Sequence, residues 1–248
     1  MSRSINTPRA EAEIRDMFDG ISFRYDILNT ILSFGIDGRW RKKMRRFLPD
    51  KADVRLLDVA TGTGEQIISL ITKGGRIRSA LGIDLSEDMI RMGERKLMNK
   101  PYAHRVTLAK GNATDIRLEE GAVDCVTISF GIRNIVDTTK CLRECRRVLS
   151  RNGRLLILEF SLPTNRIIRN LYLFYLRRIL PRIGGFFSKN RHAYEYLGRT
   201  ILSFPYGKTF CDLMEGAGFT DVRAHPLTFG VATLYVGELE GKRVCPPD

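Results

Sequence analysis

A chain of 248 residues suits one α/β domain with additional elements, and 43% hydrophobic residues are enough to fill a sizeable core. The formal net charge of +13 points to an anionic partner: a nucleic acid, an acidic membrane surface or a negative ligand. Five irregularly spaced cysteines argue against a disulfide framework, the polar first ten residues against a secretory signal, and the lack of an 18-residue apolar run against a membrane span.

The chain opens with helical spacing. Apolar residues recur at 10, 14, 17 and 18, at 27, 28, 31 and 32, and at 36, 40, 44, 47 and 48, before Pro49-Asp50 breaks the pattern. From Val54 the rhythm changes. Strands are predicted at 54–60, 80–84, 106–110, 123–129 and 154–160, with helices at 66–72, 87–98 and 138–149. Ser86 and Asp137 are placed to cap the second and third of these helices. Such alternation makes a parallel sheet with helices on both faces. After Pro163 an arginine-interrupted apolar segment runs over 167–183, and a second helical stretch over about 194–202. A helix at 208–217 and strands at 220–224 and 231–237 close the chain. Two strands joined by so short a loop cannot be parallel neighbours, so the last is expected to be antiparallel in a seven-stranded sheet. One domain, 1–248, is expected, with a helical cap at 1–50 and a lid insertion at 161–206 over the carboxyl edge, where α/β sheets bind ligands.

The densest signal is Asp58-Val59-Ala60-Thr61-Gly62-Thr63-Gly64, a strand end running into a glycine turn and a helix. Gly62 and Gly64 let a ligand approach the backbone closely at a helix N-terminus. Asp84 closes the next strand, 22 positions beyond Gly62, where a carboxylate can accept hydrogen bonds from a ribose. A dinucleotide fingerprint would place a third glycine where Ile67 stands, and would avoid a carboxylate such as Asp58. A cationic ligand gains from one. The pattern therefore favours S-adenosylmethionine, which carries a sulfonium and an ammonium beside its ribose. In the loop after the third strand, Asn112 can offer its amide and Ala113 its N–H to an adenine edge, although Asn112 after Gly111 is equally a turn former.

Beyond this turn the chain resembles the ubiquinone/menaquinone biosynthesis C-methyltransferase family. The resemblance rests on Arg24-Tyr25-Asp26-Ile27-Leu28-Asn29, Leu32-Ser33-Phe34-Gly35-Ile36, Trp40, Phe130-Gly131-Ile132-Arg133-Asn134, Leu158-Glu159-Phe160-Ser161, Tyr194-Glu195-Tyr196-Leu197 and Thr228-Phe229-Gly230-Val231-Ala232, and covers 14–237. It implies a class I, Rossmann-like methyltransferase fold, and cofactor contacts at Thr63, Asp84, Asn112, Ala113 and Ser129. Glu65 stands where an aspartate is common, so its contact with the cofactor's amino group is open. The implied reaction is methylation of a ring carbon of a reduced polyprenyl quinone, with demethylmenaquinol to menaquinol as the leading case and a benzoquinol not separable from it. No metal site is expected, since the three histidines are far apart.

Arg133, at the end of the fourth strand, is the candidate for stabilising the ring oxyanion, with a surface ion pair as its alternative. It is not the base, because a guanidinium keeps its proton. Asn134 is placed to hydrogen-bond a quinol oxygen or to cap a helix, and Tyr25 to orient the ring or relay a proton or, equally, to be a core hydroxyl. His192 reads as a surface histidine, and the base is unassigned. Leu171, Tyr172, Phe174, Tyr175, Leu176, Ile179 and Leu180 either line a channel for the polyprenyl tail, with flanking arginines touching anionic headgroups, or pack as a core-facing lid helix with solvated arginines. The location implied is cytoplasmic, with peripheral contact to the inner membrane face; a homodimer is compatible. The rival is a basic RNA-binding or RNA-methylating protein. Against it, Ser129-Phe130-Gly131 stands where base-amino methyltransferases carry Asn/Asp-Pro-Pro-aromatic, and no cysteine follows a proline, so nucleic acid is not expected.

Overall fold

The computed structural model describes residues 12, 29–72, 76–180 and 198–239. The predicted Tyr25, His192, the Tyr194 motif and the end of the apolar segment beyond Leu180 lie outside the described residues.

Helix α1 (Asp37–Lys43) leads through a 3₁₀ turn (Met44–Phe47) into strand β1 (Val54–Val59). Alternation follows: α2 (Glu65–Ile71), β2 (Ile77–Asp84), α3 (Glu87–Leu97), β3 (Val106–Lys110), β4 (Val123–Ser129), α4 (Thr138–Val148) and β5 (Leu149–Phe160). Then come α5 (Arg166–Phe174), continued as a π-helical turn (Tyr175–Ile179), α6 (Lys208–Gly216), β6 (Thr220–Leu227) and β7 (Ala232–Glu238). The predicted caps form: Ser86 Oγ accepts from Met89 N at 3.1 Å, and Asp137 Oδ1 from Lys140 N at 2.8 Å.

The seven strands order as β3-β2-β1-β4-β5-β7-β6. The first five are parallel; β7 runs antiparallel to both β5 and β6. Chain order reverses between β1 and β4, and this crevice is where a doubly wound sheet takes a ligand. Because strand side chains alternate faces, the sheet feeds two cores. Leu56, Leu156, Leu158 and Leu234 pack with α1, α2, α3 and the lid residues Tyr172, Tyr175 and Leu176. Leu57, Val59, Leu155, Ile157 and Tyr235 pack with Cys141 and Cys145 of α4 and Phe210 and Met214 of α6.

Three strand boundaries differ from the sequence reading, the first being β2, which starts at Ile77 rather than 80. Strand β5 starts at Leu149 rather than 154, directly after α4. Ser150-Arg151-Asn152-Gly153 reads as a turn but forms a bulge: Leu149 pairs with Val123 and Arg154 with Cys125. Strand β6 extends to Leu227 through Pro226, which it tolerates as an edge strand needing no further N–H donor.

The apolar lid segment also divides differently. Tyr172, Tyr175, Leu176 and Leu180 are buried in the core, whereas Leu171, Phe174 and Ile179 face outward. A single channel lined by all seven is therefore not what the helix provides. Its 3.6-residue period sends neighbouring side chains to opposite faces. Tyr175 anchors the lid, its hydroxyl donating to Ile31 O at 2.8 Å. Among the described residues no helix is long and apolar enough to cross a membrane.

Candidate functional site

The glycine turn is held by its two carboxylates. Asp58 is 1% exposed, and accepts from Thr61 Oγ1 at 2.6 Å and Thr127 Oγ1 at 2.5 Å. Burial pushes its pKa up to about 6, against the opposing pull of those hydroxyls and of the nearby Arg41 charge. Asp84 clamps the turn from the next strand, accepting from Gly62 N at 2.8 Å and Ser86 N at 3.0 Å. Asp84 thus sits at the carboxyl end of β2 beside the turn, where a carboxylate can meet ribose hydroxyls. Gly62 and Gly64 have φ of +55° and +78°, left-handed values that only glycine adopts without strain, and Gly64 starts α2.

Strain marks the ends of both central strands. Ala60 after β1 and Phe130 after β4 have φ of +51° and +59°. They sit in close apposition: a Cβ on Gly131 would lie 2.7 Å from the Ala60 Cβ. This crevice floor carries Ser129, whose Oγ donates to Gln66 Oε1 at 2.9 Å.

The other expected contacts are engaged within the protein. Asn112 Oδ1 accepts from Thr114 N at 2.9 Å and Thr114 Oγ1 at 3.0 Å, so the oxygen serves as the turn former that sequence reasoning had weighed. Ala113 follows it, buried, and a cavity of about 460 Å³ runs past this loop, lined in part by Ile83, Leu85, Gly111 and Asn112. Thr63 Oγ1 accepts from Lys96 Nζ at 2.7 Å, and the same ammonium pairs with Glu65 at 2.6 Å, which draws Glu65 toward α3.

Beyond Phe130 lies a second polar group. Arg133 follows β4 at the carboxyl edge, as expected, but its ion pair is buried rather than at the surface. Nη1 is 2.5 Å from Glu159 Oε1 and 2.8 Å from Phe130 O, with both charged side chains at most 1% exposed. The guanidinium lies over the Phe160 ring at 5.4 Å. Burial raises the Glu159 pKa, and the Arg133 charge opposes the rise. Tyr172, expected in the tail channel, instead buries its hydroxyl where it feels the charges of Arg133 and Glu159; desolvation raises its pKa, so it stays protonated. Among the described residues the hydroxyl has no hydrogen-bond partner, nor has the buried Oδ1 of Asn134. Orphaned polar atoms are rare in protein interiors, and these two, near Arg133, suit a polar ligand.

Sequence reasoning missed Glu159, Gln66 and Arg41 as site residues, and gave Tyr172 a different part of the site. Only an acid inside an otherwise apolar strand (Glu159) and a basic residue on the apolar face of a helix (Arg41) were available as signals.

The donor set fits an adenosyl zwitterion: a ribose-type acid, a buried acid beneath the turn and a buried cation beside it. The profile of the ubiE/COQ5 methyltransferase family matches residues 6–238. The ubiquinone/menaquinone biosynthesis C-methyltransferase of Citrifermentans bemidjiense is 44% identical over 90% of this chain and 95% of its own. The demethylmenaquinone methyltransferase of Thermotoga maritima is 38% identical over 90% of this chain and 94% of its own. In fold, the chain is similar to Haemonchus contortus phosphoethanolamine N-methyltransferase 2, solved with S-adenosyl-L-methionine (TM-score 0.64, 16% identity, 92% of this chain and 60% of that one). It is likewise similar to an S-adenosylmethionine-dependent methyltransferase of Thermotoga maritima (TM-score 0.63, 17% identity, 91% and 99%).

Proposed function

The chain belongs to the ubiE/COQ5 methyltransferase family, and from that premise we propose that it methylates a ring carbon of a reduced polyprenyl quinone, with a demethylated naphthoquinol as the first substrate to test. The observation that carries this reading is the near-full-length identity to relatives named for that C-methylation. The RNA reading rested on net charge alone and has no such support.

S-adenosylmethionine supplies, when bound, a methyl group on a sulfonium leaving group. Asp84 is the residue for its ribose, Asp58 for its positive end, and the loop at Asn112 and Ala113 for its adenine. Gly62, Thr63, Gly64 and Ser129 shape the backbone cradle between them. The acceptor end is Arg133, Asn134 and Tyr172. A ring carbon is a weak nucleophile until the neighbouring hydroxyl loses its proton and the electron pair spreads onto the ring. Arg133 and the protonated Tyr172 then place donors at the oxyanion, where low dielectric strengthens them. Glu159 fixes the Arg133 fork in orientation. Asn134 Oδ1 is an acceptor for a quinol hydroxyl. Tyr25 keeps the ring-orienting role proposed from sequence.

The tail meets a different surface. Ile167, Leu171 and Phe174 are 71%, 66% and 58% exposed and form one stripe of α5, next to the exposed Phe34. Arg166, Arg169, Arg177 and Arg178 are exposed around it. An apolar stripe flanked by arginines suits the interface of an anionic bilayer, from which a polyprenyl substrate would be drawn. Flotation with phosphatidylglycerol vesicles should recover the protein, and Leu171→Glu with Phe174→Glu should abolish recovery; unchanged recovery removes this surface.

The activity test is incubation with S-adenosylmethionine and a reduced demethylated naphthoquinol or benzoquinol bearing a short prenyl tail, read by mass. A gain of one methyl on carbon is expected. No product from either ring class would overturn the assignment.

A further inference from the structure

Helix α1 presents a charged side chain to the crevice that no part of the scheme above has used. Arg41 is 7% exposed, and its guanidinium carbon lies 5.0 Å from the centre of the Phe130 ring. Its Nε is buried and makes no hydrogen bond among the described residues. The acid within ion-pair distance is Asp37, one turn earlier, at 3.7 Å, which is too long for a hydrogen bond. The backbone carbonyl of Arg41 is 3.5 Å from Gln66 Nε2, and Gln66 in turn accepts from Ser129. Arg41 is thereby tied to α2 just past the glycine turn and to the end of β4.

A buried cation with incomplete hydrogen bonding is costly, and is retained where an anion completes it. The position defines that anion. Arg41 lies against Phe130 and Gln66, next to the turn that Asp58 supports, and its charge reaches Asp58, so a buried acid and a buried base share this end of the crevice. A zwitterion needs such a pair: the acid faces an ammonium, and the guanidinium fork faces a carboxylate. We infer that Arg41 receives the α-carboxylate of the methionyl end of the methyl donor, and so selects a donor that carries an intact amino-acid tail. This rests on the S-adenosylmethionine reading above.

The test is calorimetric binding of S-adenosylmethionine and of its decarboxylated form, which lacks only the carboxylate. Wild-type protein should prefer the intact donor by about 10- to 100-fold, the range for one charge-assisted contact. Arg41→Met should lose that preference, with the decarboxylated form bound within about twofold of wild type on the same scale. Arg41→Lys, which keeps the charge and the fold but not the fork, should retain part of it. Equal losses for both ligands, or an unchanged preference in both variants, would overturn the inference. Failure of the wild-type protein to bind either ligand would overturn the donor reading itself, and this inference with it.

Discussion

Replacing Asp58 by Asn should stabilise the protein at neutral pH while weakening its hold on the methyl donor. The carboxylate is fully enclosed, and its pKa is raised from 3.8 to about 6. The folded state therefore holds the proton more tightly than the unfolded chain, and stability is lost as pH rises from about 4 to about 6. A difference of about two pKa units amounts to about 3 kcal/mol above pH 7, and only about 1 kcal/mol at pH 4.5. Asn is nearly isosteric, and the Thr61 and Thr127 hydroxyls can each donate or accept, so both existing contacts can be remade. Urea unfolding of both proteins at pH 4.5 and pH 8 measures the effect. The Asn variant should gain about 2 kcal/mol more at pH 8 than at pH 4.5. Its affinity for S-adenosylmethionine should fall about tenfold or more, because the charge opposite the donor is gone. A stability difference independent of pH would refute the argument that Asp58 is held ionised at a cost.

Arg133→Lys keeps a cation beside Glu159, so unfolding should shift little, yet turnover should fall about 100-fold without its planar fork, with the S-adenosylmethionine Kd unchanged; single-turnover kinetics and calorimetry separate the two. Tyr172→Phe removes a buried hydroxyl that lacks a partner among the described residues, so it should leave stability level or raise it by about 1 kcal/mol while lowering kcat about tenfold or more; equal loss of both would mark the phenol as purely structural. Asp124→Asn should cost about 1–3 kcal/mol at pH 7. Burial alone would raise the Asp124 pKa, but bonds from Arg55, Lys51 and Ser150 outweigh it and hold the carboxyl well below the usual range. Its stabilisation is therefore full above about pH 4 and is lost only as pH falls through the low pKa of the folded state, so the gap between the two proteins in urea should be somewhat smaller at pH 3 than at pH 7 without closing.

The parts of the site that were legible from sequence are local ones. Asp58, Gly62 and Gly64 lie in one βα unit, and Asp84 ends the next strand, so their relation follows from strand length and the parallel crossover. The caps at Ser86 and Asp137 needed only residue type and position. Asn112 was legible as a turn former for the same reason. The bulge at 150–153 was not, because the same residues close a free turn equally well; pairing with β4 decides between them.

The remaining half of the site is made by contacts across the chain. Periodicity assigned Trp40 and Met44 to the apolar face of α1, but not the partner of Arg41, which is buried only because α1 lies against Phe130 and Gln66. Glu159 meets Arg133 because β5 lies beside β4, 26 residues apart in sequence. The lid shows the limit most plainly: seven apolar or aromatic residues qualified for a channel, and packing on Ile31 and the carboxyl edge buried four and exposed three. The sequence by itself determined the sheet, its antiparallel last strand and the glycine turn with its two acids, since each is encoded in periods and spacings of a few residues. Only the tertiary structure decided which buried charges face one another, because a side chain's period tells which way it points and not what it meets.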